Sequence, residues 1–275
     1  MPSTPQLHAW TRPQLLAADL TDAQIRRAVA RGDLLRLGPR WYGTTATPPA
    51  VAAALKSNHR LTCLSALSLH GVFTPRVAER HEVGRQCRCQ PRRGVVEHLP
   101  LRAWPDDHPI LSLHDSLADA LRCLNAESSA VVLESALHRR LLHPDDLPAL
   151  LDPLSQRQRR AIGRLDARAM SGSETRVRRF FERRGVKVRP QFPLPGGGYA
   201  DLLVGERLLI ECDSLAHHTD LAAFAGDRHR DQRNLLAGLL TLRLTYDDVW
   251  VAWEATKRLF GEILRTHLHR APGLW

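Results

Sequence analysis

The stretch YADLLVGERLLIECD, residues 199–213, decides the fold of the last third of this 275-residue chain. It is typical of two apolar strands and a short connection, with strands at 199–204 and 208–213 and a loop at 205–207. Carboxylates interrupt the apolar runs at three positions, namely Asp201, Glu211 and Asp213. An unpaired charge inside a buried strand is costly, so carboxylates there indicate a site that offsets their charge.

The length of the connecting loop decides whether the carboxylates of the two strands meet. A two-residue loop places Glu211 opposite Ala200, and Asp201 then points to the other face. A three-residue loop places Asp201 directly across from Glu211. Because three-residue hairpins that contain glycine are common, and Gly205 lies in this loop, we expect the second register. The two-residue period of a strand also puts Glu211 and Asp213 on one face, about 7 Å apart.

Converging carboxylates form an oxygen-rich site of the kind that Mg²⁺ or Mn²⁺ prefers. We therefore expect Asp201, Glu211 and Asp213 to be metal ligands. A hard cation held there is suited to activating water and neutralising charge on a phosphodiester. Glu174 has two compatible interpretations, as the glutamate of a capping box that begins at Ser171 and as a further member of this site.

The other predicted elements after residue 171 are helices at 173–184, 224–236 and 247–268 and strands at 186–191 and 239–245. The middle helix carries three arginines within about one and a half turns, namely Arg228, Arg230 and Arg233. These arginines either clamp phosphates or pair with Asp227 and Asp231 at helical spacing.

The first 49 residues predict two helices followed by a two-stranded wing. Thr11 is an N-cap for the first helix, Thr21 begins a capping box for the second, and Gly32 ends it. Strand-like residues 34–37 and 40–43 flank a Gly-Pro turn. This order is that of a winged helix-turn-helix, which contacts either DNA or protein. In the DNA interpretation, the contacts come from four basic side chains: Arg26, Arg27, Arg31 and Arg40.

Residues 50–165 are predicted to form a mostly helical middle domain with a basic connector. Its helices are expected at 51–58, 61–70, 113–124, 128–140 and 145–151. Between them, residues 81–101 are strand-like and contain His81, Cys87, Cys89 and His98. Their spacing is not that of a zinc knuckle, so an exposed hairpin is preferred to a zinc site. The arginine-rich segment 156–168 is either a solvated helix or a connector that contacts phosphates.

The charge of the chain favours a polyanionic partner such as nucleic acid. Lysine and arginine outnumber aspartate and glutamate by 39 to 29, and the sequence pI is about 10.2. Only three of the 39 are lysines, a bias that a GC-rich coding sequence also produces. Residues 171–275 hold 16 basic against 13 acidic residues, so most of the positive excess precedes the predicted metal site.

Composition argues against several other classes of protein. Hydrophobic residues make up 43% and charged residues 25%, which is typical of a globular chain and not of a disordered one. No apolar run approaches the roughly 20 residues that span a bilayer, and residues 1–22 carry no secretory pattern. Five cysteines without a Cys-x-x-Cys pair indicate a reducing compartment. We therefore expect a cytoplasmic protein with no membrane partner.

An ordered series of residues in the C-terminal part resembles a bacterial family of PD-(D/E)xK endonuclease-like domains related to very-short-patch-repair endonucleases. The series runs Ser-Gly-Ser-Glu174, Ala-Asp201, Ile-Glu211-Cys-Asp213, His217-His218, Asp227-Arg-His-Arg230-Asp231 and Leu242-Arg243-Leu-Thr245. The N-terminal part resembles the winged helix of AbiEi-type antitoxins. Fusion of these two modules is a recurrent actinobacterial architecture.

The resemblance implies a multidomain α+β chain. Its three parts are a winged helix-turn-helix at 1–49, the helical middle domain at 50–165, and a restriction-endonuclease-like α/β/α domain with a mixed sheet at 166–275. Asp201 and Glu211 are then metal ligands, and Asp213, which stands at the usual position of a catalytic lysine, is a further ligand. His218 or its neighbour His217 orients or deprotonates the water.

Two functions follow from these expectations. One is a metal-dependent DNA endonuclease with a role in repair, restriction or defence against mobile elements. The alternative is a non-enzymatic DNA-binding regulator of the antitoxin type, whose nuclease-like domain is inactive. Both are compatible with a homodimer and with a regulatory protein partner.

Overall fold

A computed structural model describes residues 6–75, 78–85, 92–99, 104, 107–195, 197–212 and 231–270. The chain is of the predicted α+β class and divides into two compact units. The first comprises Met1–Ser129 and Leu141–Ala161, and the second comprises Ala130–Arg140 and Ile162–Trp275. Among the described residues, no helix combines the length and apolar character needed to cross a bilayer.

The first unit begins with two short helices and a small antiparallel sheet. The elements are β1 (Ala9–Thr11), α1 (Arg12–Ala17), α2 (Asp22–Arg31), β2 (Leu35–Arg36) and β3 (Trp41–Gly43). The strand order is β1-β3-β2, so the predicted β2–β3 hairpin is joined by an additional strand. Both helices begin at a reciprocal capping box, in which Thr11 pairs with Gln14 and Thr21 with Gln24.

The rest of the first unit combines helices with a second sheet. The elements are α3 (Pro49–Lys56), β4 (His59–Leu61), α4 (Cys63–Leu69), β5 (Arg80–Gly84), β6 (Val95–His98) and α5 (Leu113–Cys123). In the sheet, β5 lies between an antiparallel β4 and a parallel β6. The description of this region as mostly helical is therefore incomplete. The helix predicted from Leu61 begins at Cys63, because Leu61 pairs with Glu82 in the sheet.

The next elements are helical, and the chain passes to the second unit at Ala130, back to the first at Leu141 and again to the second at Ile162. They are α6 (Ala126–His138), a 3₁₀ turn (Pro144–Asp146), α7 (Leu147–Leu151) and α8 (Gln156–Ile162). The arginines of α8 at positions 157, 159 and 160 are exposed to solvent, as expected for a solvated helix.

The second unit is built on a four-stranded mixed sheet. Its elements are α9 (Gly172–Glu182), β7 (Val188–Pro193), β8 (Tyr199–Val204), β9 (Leu208–Cys212), β10 (Leu240–Leu244), α10 (Tyr246–Trp250) and α11 (Trp253–Arg265). The strand order is β10-β9-β8-β7, with β10 parallel to β9 and the other pairs antiparallel. One face packs against apolar residues of α9, α10 and α11, including Phe181, Val249 and Phe260. The opposite face buries a smaller cluster around Leu203 and Leu209.

The single helix predicted at 247–268 is wrong, since two helices occupy that range. The amides of Val251 and Ala252 both donate to the carbonyl of Asp247, which closes α10, and α11 begins at Trp253. Both helices bury apolar residues against the same face of the sheet. The helical spacing of apolar residues therefore continues from one helix into the next, and the sequence pattern does not show the break.

The turn between β8 and β9 leads to a test of the hairpin. Gly205 has a φ of +65°, and a Cβ there would lie 2.3 Å from the carbonyl oxygen of His269. We expect Gly205→Ala to lower the free energy of unfolding by about 2–4 kcal/mol, from backbone strain plus a backbone clash. Gly185→Ala is the matched control, because Gly185 has a φ of +76° with nothing within 4 Å of its Cβ position. It should lose only about 1 kcal/mol. Equal losses in urea unfolding would contradict this account.

Candidate functional site

The register of the β8–β9 hairpin brings Asp201 and Glu211 together. Val204 pairs with Leu208, and the pairing continues to Leu202 with Ile210. The connection therefore consists of residues 205–207, which confirms the three-residue loop. The next pair along this register is Asp201 and Glu211, on the same face as Leu203 and Leu209.

Asp201 is held by the backbone of the neighbouring strand. Its Oδ2 atom accepts a hydrogen bond of 2.7 Å from the amide of Cys212. The Asp201 side chain is half-buried at the end of the paired strands. A carboxylate fixed by a backbone donor at this position is oriented without the entropy cost of ordering a free side chain.

Glu211 is buried and lies beside an arginine on the parallel strand. Arg243 is the register partner of Glu211, and its Nε donates to Glu211 Oε2 at 3.1 Å. The two terminal nitrogens of Arg243 donate to the two carboxylate oxygens of Asp231, each at 2.8 Å. Hydrogen bonding to Asp231, and then the charge of Glu211, raises the pKa of Arg243 despite its partial burial. One guanidinium thus bridges two carboxylates on this face of the sheet.

Glu174 brings a third carboxylate to this region from the first turn of α9. Its Oε2 accepts hydrogen bonds from the amide of Met170 at 2.9 Å and from Nε2 of Gln191 at 3.2 Å. Burial and, to a lesser extent, the negative charge of Asp201 raise the pKa of Glu174 to about 7. The charge of Asp201 therefore acts on Glu174, as expected for neighbouring carboxylates.

Of the two hydrogen bonds that make a capping box, Ser171 and Glu174 form only one. The Ser171 hydroxyl accepts from the Glu174 amide at 3.2 Å, as an N-cap does. The Glu174 side chain, however, bonds to the Met170 amide and not to the amide of Ser171, so the box is not reciprocal. Its side chain is therefore turned toward Gln191 and the charge of Asp201.

The donor atoms of this region suit a hard divalent cation. Asp201 and Glu211 offer carboxylate oxygens from paired strands, and Glu174 adds a further acidic group close by. Neighbouring carboxylates repel one another, and a cation between them removes that cost. The register of β8 and β9 places Asp201 across from Glu211. Among the described residues, no set of three or more acidic, histidine or cysteine side chains in this region has its ligand atoms within 4.8 Å of one another.

Several residues predicted for the site lie outside the described residues. They are Asp213, His217, His218, Arg228 and Arg230. Arg233 is described, and it is exposed on the helical residues 231–236. Asp231, which the sequence offers as a partner for these helical arginines, makes a bidentate contact with Arg243. Sequence reasoning missed the bridging role of Arg243, although its place in an apolar strand was a signal of a buried partner.

The basic residues predicted for the N-terminal module are on the surface. Arg26, Arg27 and Arg31 are exposed on α2, and Arg40 is exposed between β2 and β3. Arg31 faces Asp33 at 2.9 Å, and the Nε atom of Arg27 donates to the Ala23 carbonyl at 3.4 Å. Ion pairs between exposed groups contribute little to stability, so the contact with Asp33 does not hold the Arg31 side chain strongly.

A buried ion pair fixes the helix that carries Glu174. Glu134 of α6 is fully buried, and its Oε1 accepts from the Arg178 guanidinium at 2.5 Å. Its Oε2 accepts from the hydroxyl of Thr175 at 2.7 Å, and Oε1 also accepts from the Asp166 amide. Since Thr175 directly follows Glu174, this network sets the position of the first turn of α9.

Comparison with models of known protein families and with curated proteins gives no match.

The Glu134 network predicts unequal effects for its two carboxylates. Glu134→Gln leaves the charge of the buried Arg178 without its buried partner, and we expect a loss of about 3 kcal/mol in the free energy of unfolding. Glu182 provides the other carboxylate bonded to Arg178, and its side chain is 40% exposed. Glu182→Gln should therefore lower the free energy of unfolding by less than about 1 kcal/mol. Urea unfolding of the full chain measures both. A smaller loss for Glu134→Gln than for Glu182→Gln would contradict this assignment.

Proposed function

We propose that the chain is a DNA-binding protein with a metal-dependent endonuclease activity, in a C-terminal domain that resembles the PD-(D/E)xK endonucleases. The observation that carries the proposal is the register of β8 and β9, which continues from Leu202 and Ile210 to Asp201 and Glu211, with the acidic Glu174 nearby. The order of helix, antiparallel hairpin and parallel strand around this pair supports the restriction-endonuclease-like assignment.

Asp201 and Glu211 are the residues that would hold Mg²⁺ or Mn²⁺, with Asp213 as a third ligand. The cation supplies Lewis acidity for activating water and offsets charge on the phosphodiester. The amide of Cys212 holds Asp201 in place, and β9 fixes Glu211. His217 or His218 is assigned to orient or deprotonate the water.

Arg243 is suited to contact a phosphate group in this proposal. Its guanidinium already lies against two carboxylates, Glu211 and Asp231, at the face where the site is formed. A planar guanidinium binds phosphate oxygens in the same bidentate manner as it binds a carboxylate. We therefore assign Arg243 to the scissile phosphate, with Arg228, Arg230 and Arg233 toward the flanking backbone.

The N-terminal module binds DNA in this proposal. Two capped helices followed by a hairpin support a winged helix-turn-helix, in which α2 is the recognition helix. The exposed arginines of α2 and of the β2–β3 connection would contact phosphates and bases: Arg26, Arg27, Arg31 and Arg40. The larger share of the positive charge in the first 170 residues supports the same division of roles.

A second candidate function is that of a DNA-binding regulator without catalytic activity. One observation favours it, because Arg243 already neutralises part of the charge of Glu211. An arginine that is bound to the carboxylate of a metal-binding residue competes with the metal ion for the same oxygen atoms. In this case the nuclease-like domain serves in binding alone.

A nicking assay on supercoiled plasmid separates the two functions. We expect the wild type to nick DNA with Mg²⁺ or Mn²⁺ and to stop when the metal is chelated. Asp201→Asn and Glu211→Gln should each lower the rate by about 100-fold or more, since each removes charge from the metal site. Asp247→Asn is the matched control, because Asp247 is an exposed carboxylate at the start of α10, and it should retain the wild-type rate.

The same samples are tested for DNA retention on a gel. Retention without nicking by the wild type would establish the binding-only function. Metal-dependent nicking that is unchanged in both site variants would contradict the catalytic site assigned to Asp201 and Glu211.

A further inference from the structure

Four side chains with metal-binding chemistry converge in the first unit, apart from the acidic site. They are Cys63 at the start of α4, His81 on β5, His98 at the end of β6 and Cys123 at the end of α5. One ligand atom of each lies within 4.8 Å of the corresponding atom of every other. Among the described residues, this is the only set of three or more histidine, cysteine or acidic side chains that meets this distance.

Two of the separations among these atoms are close to the edges of a tetrahedral zinc site. Zn–N bonds of about 2.0–2.1 Å and Zn–S bonds of about 2.3 Å place two nitrogen ligands about 3.3 Å apart, and a nitrogen and a sulfur about 3.6 Å apart. Nδ1 of His81 lies 3.1 Å from Nε2 of His98, and it lies 3.8 Å from Sγ of Cys123. The atoms of His81, His98 and Cys123 are therefore spaced nearly as one zinc ion requires, and Sγ of Cys63 lies within 4.8 Å of each of them.

The groups behind His98 are those that accompany a metal-bound histidine. With Nε2 directed to the cluster, Nδ1 of His98 faces Oδ2 of Asp119 at 4.0 Å. That carboxylate is held in turn by the Thr62 hydroxyl at 2.5 Å and the Arg122 guanidinium at 2.5 Å. A carboxylate that accepts a hydrogen bond from a histidine ligand fixes the orientation of the ring and raises its basicity, and Asp119 would need to come about 1 Å closer to do so.

We propose that Cys63, His81, His98 and Cys123 bind one Zn²⁺ ion in a structural site. Two sulfur and two nitrogen donors select zinc over magnesium or calcium, which prefer oxygen. Four protein ligands leave no open position for substrate, which is the pattern of a structural site. The ion connects α4, β5, β6 and α5 and so stabilises the small sheet of the first unit.

The environment of the four ligands fits this role. Cys63 is fully buried, whereas Cys123 is exposed and offers a route for the ion to enter. Cys63 also has a φ of +48°, a left-handed conformation that is costly for a residue with a side chain. An ion bound to its sulfur compensates for that strain.

The site differs from the zinc set suggested by sequence. His81 and His98 are common to both, but Cys87 and Cys89 lie outside the described residues, and Cys63 and Cys123 supply the sulfur atoms. The four ligands are separated by 16 or more residues at each step. No short motif of the zinc-finger type therefore marks the site.

Elemental analysis of the full chain tests the proposal. The protein is produced in zinc-supplemented medium without a histidine tag, and we expect about one zinc ion per chain. Cys63→Ser with Cys123→Ser should lower the zinc content at least about tenfold. His143→Asn is the matched control, because His143 is exposed and outside the cluster, and it should keep the wild-type zinc content.

Cobalt substitution gives a second measurement that does not depend on the folding of a variant. The wild type loaded with Co²⁺ should show the visible bands of tetrahedral cobalt together with thiolate-to-cobalt charge transfer. The charge-transfer bands arise only when sulfur binds the cobalt. They therefore distinguish the cysteine site from cobalt bound by the carboxylates of Asp201 and Glu211. A reduced wild type that takes up neither metal would overturn the proposal, and so would a Cys63–Cys123 disulfide in the freshly purified protein.

Discussion

Three residues between β8 and β9 place Asp201 and Glu211 on the same face of the sheet, and the candidate site depends on that register. A connection one residue shorter would turn Asp201 to the face that packs on α9 and α11, among Phe181 and Phe260. An ionised carboxylate in such an apolar core costs several kcal/mol. The register that forms a metal site is therefore also the register that keeps this charge out of the core.

Electrostatic balance explains the other polar contacts around this pair. The Asp201 carboxylate is stabilised by a backbone amide, and Glu211 by the guanidinium of Arg243. Glu174, which lacks an arginine among the partners described for it, has a raised pKa of about 7. Acidic side chains from β8, β9 and α9 thus lie in one region, and their oxygen atoms are of the kind that a divalent cation prefers.

Much of the second unit follows from local sequence patterns. The strands Tyr199–Val204 and Leu208–Cys212 agree with the alternation of residues and with the expected turn. The glycine in the turn predicts a three-residue hairpin, and the carboxylates in apolar strands predict a site that offsets their charge. Together they predict that Asp201 and Glu211 face each other. The roles of Arg243 and Asp231 could not be predicted, because their contact depends on the parallel pairing of β10 with β9, which local pattern does not determine.

In the first unit, local sequence predicts the starts of two helices but not the small sheet. The capping boxes at Thr11 and Thr21 are local signals, and they mark the start of α1 and α2 correctly. The strand His59–Leu61 is too short to show alternation, so the sequence pattern predicts a helix from Leu61 instead. The cluster of Cys63 with His81, His98 and Cys123 depends on that same small sheet. Its chemistry is therefore evident only after the strands are paired.

Anomalous diffraction from crystals of the full chain soaked in Mn²⁺ tests the central claim most directly. The account predicts a manganese peak within bonding distance of carboxylate oxygens from both Asp201 and Glu211, with Arg243 displaced from Glu211 Oε2. A well-ordered site in which the Arg243–Glu211 ion pair persists, with no manganese bound to the two carboxylates, would contradict it.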